Sequence, residues 1–177
     1  MPLTLGDQFA TIDRLKFSKA QTNHYTSHSP GNLHLNHHNK MARDLFHDVV
    51  KTALIKDGWT ITNDPLFLKV GGVDFFIDLG AEKLLAAERD NHKIAIEIKS
   101  FINTSGLSDF HLAIGQFINY RVALEVFEPQ RELFLAIPDT AYETFFQKAF
   151  PQMVIEKYQL KFLVYDVNSE VILEWKL

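Results

Sequence analysis

Leu45, Phe46, Val49, Val50, Ala53 and Leu54 recur at helical spacing and predict a helix with one apolar face, opening near Met41. Gly58 suits its C-terminal cap. Trp59 and Ile61 then alternate with threonines, as in a half-buried strand, and Asn63-Asp64-Pro65 breaks the run. Leu66–Val70 resumes the extended structure, Gly71-Gly72 turns, and Val73–Leu79 returns as a second strand. Residues 81–89 read as helix by their Ala and Leu content, or as an extended link because they lie between strands. His92–Ser100 carries Ile94, Ile96 and Ile98 on one side of a strand. A second helix follows Ser108-Asp109 and reaches about Glu128. Arg131–Ile137 is a continuous apolar strand of the kind found inside a mixed sheet. Asp139-Thr140 can cap a helix through Phe150. Lys161–Val167 and Val171–Trp175 close the chain as a strand pair. The expected order is α-β-β-β-α-β-α-β-β, a single α/β domain over residues 41–177 without internal repeats.

Residues 1–40 show no sustained period and are rich in Ser, Thr, Asn and His, with Pro30 and Gly31 among them. They read as a disordered arm or, because Met41 opens the patterned segment, as a non-native start extension. His34-x-x-His37-His38 could bind a metal, but such tracts are more often incidental.

Composition narrows the function. The 177 residues, 46% of them apolar, suffice for one cored domain. The absence of cysteine excludes a disulfide framework, thiol catalysis and cysteine-ligated zinc. No run approaches the roughly 18 apolar residues of a membrane span, and no apolar stretch near the start resembles a signal peptide. A cytoplasmic protein with no membrane partner is expected. A net charge of −4 argues against a generic nucleic-acid coat. The charge is uneven: residues 1–40 hold four bases and two acids, and residues 41–177 hold 14 bases and 20 acids.

One strand carries chemistry on its polar side. In Ile94-Ala-Ile-Glu97-Ile-Lys99 the isoleucines share one face, and Glu97 and Lys99 share the other. An acid and a base on a core-like strand are costly unless paired or set in a cleft. Asp78 ends the preceding strand and can meet Glu97 if the two strands run antiparallel. Two carboxylates suit a hard cation of the Mg²⁺ type, and a neighbouring lysine can hold water or stabilise phosphoryl charge. Gln116 and Tyr120, at i and i+4, stack on one face of the second helix and could contact a phosphate. Gly115 could let that helix lie close to the sheet. On the first helix Asp44 and His47 could share a face. Each feature alone is ordinary: Glu-x-Lys is commonly a solvated strand face, and His47 a satisfied helix residue. The ordered conjunction of Asp, Glu-x-Lys and Gln-x-x-x-Tyr points to a nuclease-type site.

That conjunction resembles the PD-(D/E)xK superfamily, with Asp78 as its first acid, Glu97 and Lys99 as its (D/E)xK pair, and Gln116-Phe-Ile-Asn-Tyr120 as the helix motif of its RecB-like branch. Ile77 replaces the usual proline before the first acid. Further stretches are similar to the XisH family, the cyanobacterial fdxN element excision controlling factors. They are Ala42-Arg-Asp44-Leu-Phe-His47-Asp48, Leu54-Ile-Lys-Asp57-Gly-Trp59, Ile77-Asp78-Leu-Gly-Ala-Glu82, Glu97-Ile-Lys99-Ser-Phe101 and Ala113-Ile-Gly115-Gln116. The likeness runs from Met41 essentially to the end and through Arg131-Glu-Leu-Phe-Leu-Ala-Ile-Pro138.

The resemblance implies a restriction-endonuclease-like mixed central sheet with an αβββαβ core, flanked by helices and followed by a strand pair. It also implies a part in programmed excision of a DNA element, beside a site-specific recombinase and a small companion, XisI. On that reading Asp78 and Glu97 hold Mg²⁺ or Mn²⁺, Lys99 activates water, Gln116 and Tyr120 organise the phosphate, and His47 assists and completes the metal shell. The competing expectation is an inactive module that binds DNA or a partner and controls a recombinase, which the acidity of residues 41–177 favours. A third is the nuclease of a toxin–antitoxin-like pair. A homodimer is compatible with each.

Overall fold

The computed structural model describes residues 33–84, 91–102 and 105–177. Helix α1 spans Leu33–Lys56, beginning earlier than the patterned segment. Strands β1 (Thr60–Asn63), β2 (Leu66–Val70), β3 (Val73–Ile77), β4 (Leu79–Leu84) and β5 (Asn91–Ile98) follow. Then come α2 (Gly106–Phe127), β6 (Arg131–Pro138), a helical turn at Asp139–Ala141 that continues as a π-helical turn over Tyr142–Phe146, and α3 (Ala149–Tyr158). Strands β7 (Phe162–Asp166) and β8 (Val171–Lys176) complete the domain.

A six-stranded sheet has the order β1-β4-β5-β6-β7-β8, and β2 pairs with β3 as a separate hairpin. The central pairs β5/β6 and β6/β7 are parallel, while β1/β4, β4/β5 and β7/β8 are antiparallel. This is the expected mixed α/β domain with a terminal strand pair. Parallel neighbours need a crossover, which α2 supplies between β5 and β6, and the segment through α3 between β6 and β7.

Both faces of the sheet are covered. Val49, Val50 and Leu54 of α1 pack with Leu79, Ala81, Ile94, Ile96, Phe134, Ala136, Leu163 and Tyr165 on one face. Phe110, Ala113, Phe117 and Leu124 of α2 pack with Ala95, Leu133, Leu135, Ile137, Phe162 and the hairpin residues Leu66, Leu68 and Ile77 on the other. Strand β6 feeds alternate side chains to the two cores, which is why it reads as an unbroken apolar run. Helix α1 ends as expected on Gly58, at φ +87°. The Trp59 N–H donates to the Leu54 carbonyl and the Gly58 N–H to the Ile55 carbonyl, closing the last turn in a Schellman motif.

Three expectations change. The single strand foreseen over Val73–Leu79 is two strands, broken at Asp78. Ile77 belongs to the α2-side core and Leu79 to the α1-side core, so the chain bends between them to pass from the hairpin into the main sheet. The ambiguous stretch from Ala81 is strand as far as Leu84, and residues 85–90 lie outside the described ones. Gly115 does not face the sheet: it is exposed, and a Cβ built on it meets nothing within 4 Å.

Two buried polar groups were not legible from spacing. The Arg131 guanidinium is buried at the start of β6. It donates to the carbonyls of Ile94 (2.9 Å) and Ala81 (3.5 Å) and pairs with Glu128 (2.9 Å) and Glu82 (3.4 Å). The Tyr165 hydroxyl is buried without a hydrogen-bond partner, and burial, then the nearby Asp139 charge, pushes its pKa well above the ordinary tyrosine value.

Opposite outcomes follow in urea unfolding. Arg131→Ala removes the partner of two carbonyls and two carboxylates and is expected to cost about 3 kcal/mol. Tyr165→Phe removes only an unsatisfied hydroxyl and is expected to raise stability by about 1 kcal/mol.

Candidate acid–lysine site at the end of strand β5

The alternation of β5 decides what reaches this site. Ile94 and Ile96 enter the α1-side core, leaving Ala95 and Glu97 toward α2. Glu97 is 1% exposed. Burying a carboxylate costs several kcal/mol unless a charge and hydrogen bonds offset it. Lys99 Nζ lies 2.6 Å from Glu97 Oε1 and supplies that charge. Lys99 follows the last residue of β5, yet its N–H still donates to the Ala136 carbonyl at 3.0 Å. The lysine backbone is thus anchored to β6. Two residues on, Phe101 adopts a left-handed backbone (φ 52°), with its ring edge-on to Phe146 at 5.0 Å. A non-glycine residue adopts that conformation only where packing compensates, and here it turns the chain out of the strand directly after the lysine.

Asp78 comes to the same place from the bend between β3 and β4. The β4–β5 register sets Leu79 opposite Ile96, so Asp78 falls opposite Glu97. Asp78 Oδ2 accepts a hydrogen bond from the Ile98 N–H at 2.8 Å, satisfying an amide beyond the paired part of β4. Asp78, Glu97 and Lys99 are therefore brought together on adjacent strands.

Gln116 and Tyr120 lie one turn apart on α2, on the flank of its core-facing stripe. Gln116 Nε2 donates to the Tyr120 hydroxyl at 3.3 Å. The Tyr120 ring packs edge-on to Phe75 of β3 at 6.2 Å, close to the Asp78 bend. Gln116 Oε1 is buried without a hydrogen-bond partner. Both residues belong to the helix that covers the Glu97 face of the sheet.

His47 is placed differently from the sequence expectation. It lies on α1, the helix that covers the opposite face, and its Nε2 is 2.8 Å from Asp64 Oδ1. Lys51, one turn later, holds Asp64 Oδ2 at 2.7 Å. Helical spacing puts His47 and Lys51 on one side of α1, and the β1–β2 break presents Asp64 to both. Asp64 is the residue that sequence reasoning read only as a breaker. The side chain of Asp44 lies outside the described residues. Among the described residues no cluster of three or more His, Asp or Glu side chains is close enough to hold a metal, so His47 does not complete a shell with Asp78 and Glu97.

Burial pushes the Asp64 carboxyl up, but the Lys51 hydrogen bond and the His47 charge outweigh it and hold the group below its ordinary 3.8. A cavity of about 520 Å³ lies elsewhere, where Arg121, Glu132, Lys157 and Lys161 surround the start of β6. Because β5 and β6 are parallel, it sits at the strand ends opposite to Glu97 and Lys99. The acid–lysine site is identified by its chemistry rather than by concavity.

The fold and site define a mixed α/β protein with a buried carboxylate–lysine pair at the end of a central strand and a second carboxylate bonded to the backbone beside it. Residues 40–173 match the model of the XisH protein family. The chain belongs to the XisH family. An XisH family protein from Nostoc punctiforme PCC 73102 is 52% identical, with a TM-score of 0.69 over 76% of this chain and 100% of that one. An fdxN element excision controlling factor protein from Anabaena variabilis is 55% identical, with a TM-score of 0.68 over 75% of this chain and 98% of that one. No curated protein matches. No helix among the described residues is long and apolar enough to cross a membrane.

The Asp64 shift sets a pH test. A carboxyl whose folded pKa is depressed adds stability that is fully present above its unfolded value and is lost as pH falls through the folded one. Asp64→Asn is expected to be less stable than wild type at pH 7, with the gap closing below about pH 4. Thermal unfolding across pH 2–7 measures the gap; a constant difference would contradict the assignment.

Proposed function

We propose that this protein is a DNA-processing factor of the excision-controlling type, with a PD-(D/E)xK-like, metal-dependent phosphodiesterase site at Asp78, Glu97 and Lys99. The observation that carries the reading is the buried Glu97 with Lys99 at 2.6 Å and Asp78 opposite it in register. A desolvated carboxylate beside a lysine, with a second acid on the neighbouring strand, is the kind of environment in which functional sites are built.

The donor set fits Mg²⁺, which keeps several waters and is commonly held by one or two carboxylates together with substrate phosphate. Asp78 and Glu97 would hold the ion, with Mn²⁺ as the alternative occupant. Bound there, it would supply Lewis-acid stabilisation of phosphoryl charge. Lys99 then has two uses: it pairs with and orients Glu97, and its remaining ammonium protons can donate to a phosphoryl oxygen or position water. Gln116 and Tyr120 orient the phosphate from α2. The restriction-endonuclease-like topology, a DNA substrate, a XisI-like companion and action beside a site-specific recombinase belong to this reading.

A second reading is a DNA- or partner-binding module that does not cut. The absence of a three-ligand cluster among the described residues favours it, as does the acidity of residues 41–177.

Cleavage separates the two. Purified protein, alone and with a XisI-like companion, is incubated with single- and double-stranded DNA and Mg²⁺ or Mn²⁺. The enzyme reading expects metal-dependent cuts that Lys99→Ala and Glu97→Gln each reduce by about 100-fold or more, with circular dichroism verifying that the isosteric Glu97→Gln is folded. Metal binding by wild type without cleavage of any substrate would leave the binding module as the function.

A further inference from the structure

Helix α2 is apolar on the side that the sheet covers and uncharged on the side that it does not. Its core stripe is Phe110, Ala113, Phe117 and Leu124. On the opposite side Ser108, Leu112, Gly115, Asn119, Val122 and Val126 are all exposed, Leu112 to 60% and Val122 and Val126 to 55% each. A surface helix ordinarily turns charge to water on its outer face. These six positions carry none, and they fall at alternating spacings of four and three residues, the seam of a coiled coil. Flanking side chains leave the seam open, since a Cβ on Gly115 would meet nothing within 4 Å.

We propose that this face packs on the α2 of a second copy of the chain, antiparallel about a two-fold axis near Gly115 and Asn119. The seam is self-complementary in that orientation. Centred between Gly115 and Asn119, it sets Leu112 against the partner's Val122, Gly115 against the partner's Asn119, and Ser108 against the partner's Val126. Each layer joins the two kinds of seam position, as an antiparallel pair requires, and two copies of one patch meet as an isologous interface does. The small Gly115 gives the Asn119 side chain room, and a polar residue in a seam fixes register. The flank bears out the choice of partner: His111, Ile118 and Glu125 line one edge of the seam. Antiparallel pairing brings the partner's Ile118 to Ile118 and the partner's Glu125 to His111, so unlike groups meet at both ends. A parallel pair would instead stack like seam positions, Gly115 on Gly115 and Val122 on Val122, and would not bring His111 to Glu125.

Sedimentation equilibrium of the full chain at tens of micromolar tests this. Wild type is expected at twice the chain mass. Gly115→Arg and Val122→Lys are each expected at the single-chain mass, with unchanged circular dichroism because both positions are exposed in the monomer. The chain has no cysteine, so the double variant Gly115→Cys/Asn119→Cys is expected to form a disulfide-linked dimer under mild oxidation, and Val73→Cys on the hairpin is not. A monomeric wild type would overturn the proposal and assign the face to another protein or to this chain's first residues. A dimer that survives both charge substitutions, or fails to cross-link, would overturn it in favour of another interface.

Discussion

A carboxylate that is 1% exposed has to be compensated, and the architecture around Glu97 is organised by that requirement. The three central strands put Glu97 where apolar residues are expected, between β4 and β6 and beneath α2. Lys99 compensates its charge from the same strand, and the β6 carbonyl of Ala136 fixes the lysine backbone. Asp78 then occupies the one position at which the neighbouring strand has stopped pairing and can bond the Ile98 amide with its side chain. Remove the pair and this end of the sheet would close as ordinary core. Keeping it leaves a buried ion pair at the end of the central strand.

The bend at Asp78 serves packing and chemistry together. Because side chains alternate across a strand, an uninterrupted strand would keep Ile77 and Leu79 on one face; the bend sends them to different cores and leaves Asp78 between. The β2–β3 hairpin is thereby folded over α2, where Phe75 meets Tyr120. The same local departure from regular strand sets an acid opposite Glu97 and brings the hairpin to the helix that carries Gln116. Charge elsewhere is handled by separate devices. Arg131 ties β6 to two carbonyls and two carboxylates, and Asp64 ties the β1–β2 break to α1.

Ile94, Ile96 and Glu97 were legible in the sequence because a period of two leaves no choice about which side chains share a face. The apolar run of β6, the α1 cap at Gly58 and the terminal strand pair were legible for similarly local reasons. Val73–Leu79 was not, since its alternation is continuous and only the competition of two cores reveals a break. Gly115 suggested close helix–sheet contact, but the helix turns it outward because Phe110, Ala113 and Phe117 claim the inner face. His47 was legible as a polar residue of α1, but not as a partner of Asp64. Helical spacing says which residues share a side, and only the placement of α1 on the far face of the sheet says what that side meets.

The sequence by itself determined the period of each element, the pairing of Glu97 with Lys99 one pleat apart and the stacking of Gln116 with Tyr120 one turn apart. Those follow from steric rules that act over a few residues. The tertiary structure alone decided that β4 and β5 run antiparallel in the register that sets Asp78 opposite Glu97, that α1 and α2 cover opposite faces, and that Arg131 and Tyr165 are buried. Register and layer order depend on burying both faces of one sheet at once, a condition that involves residues far apart in the chain and is written in no single segment.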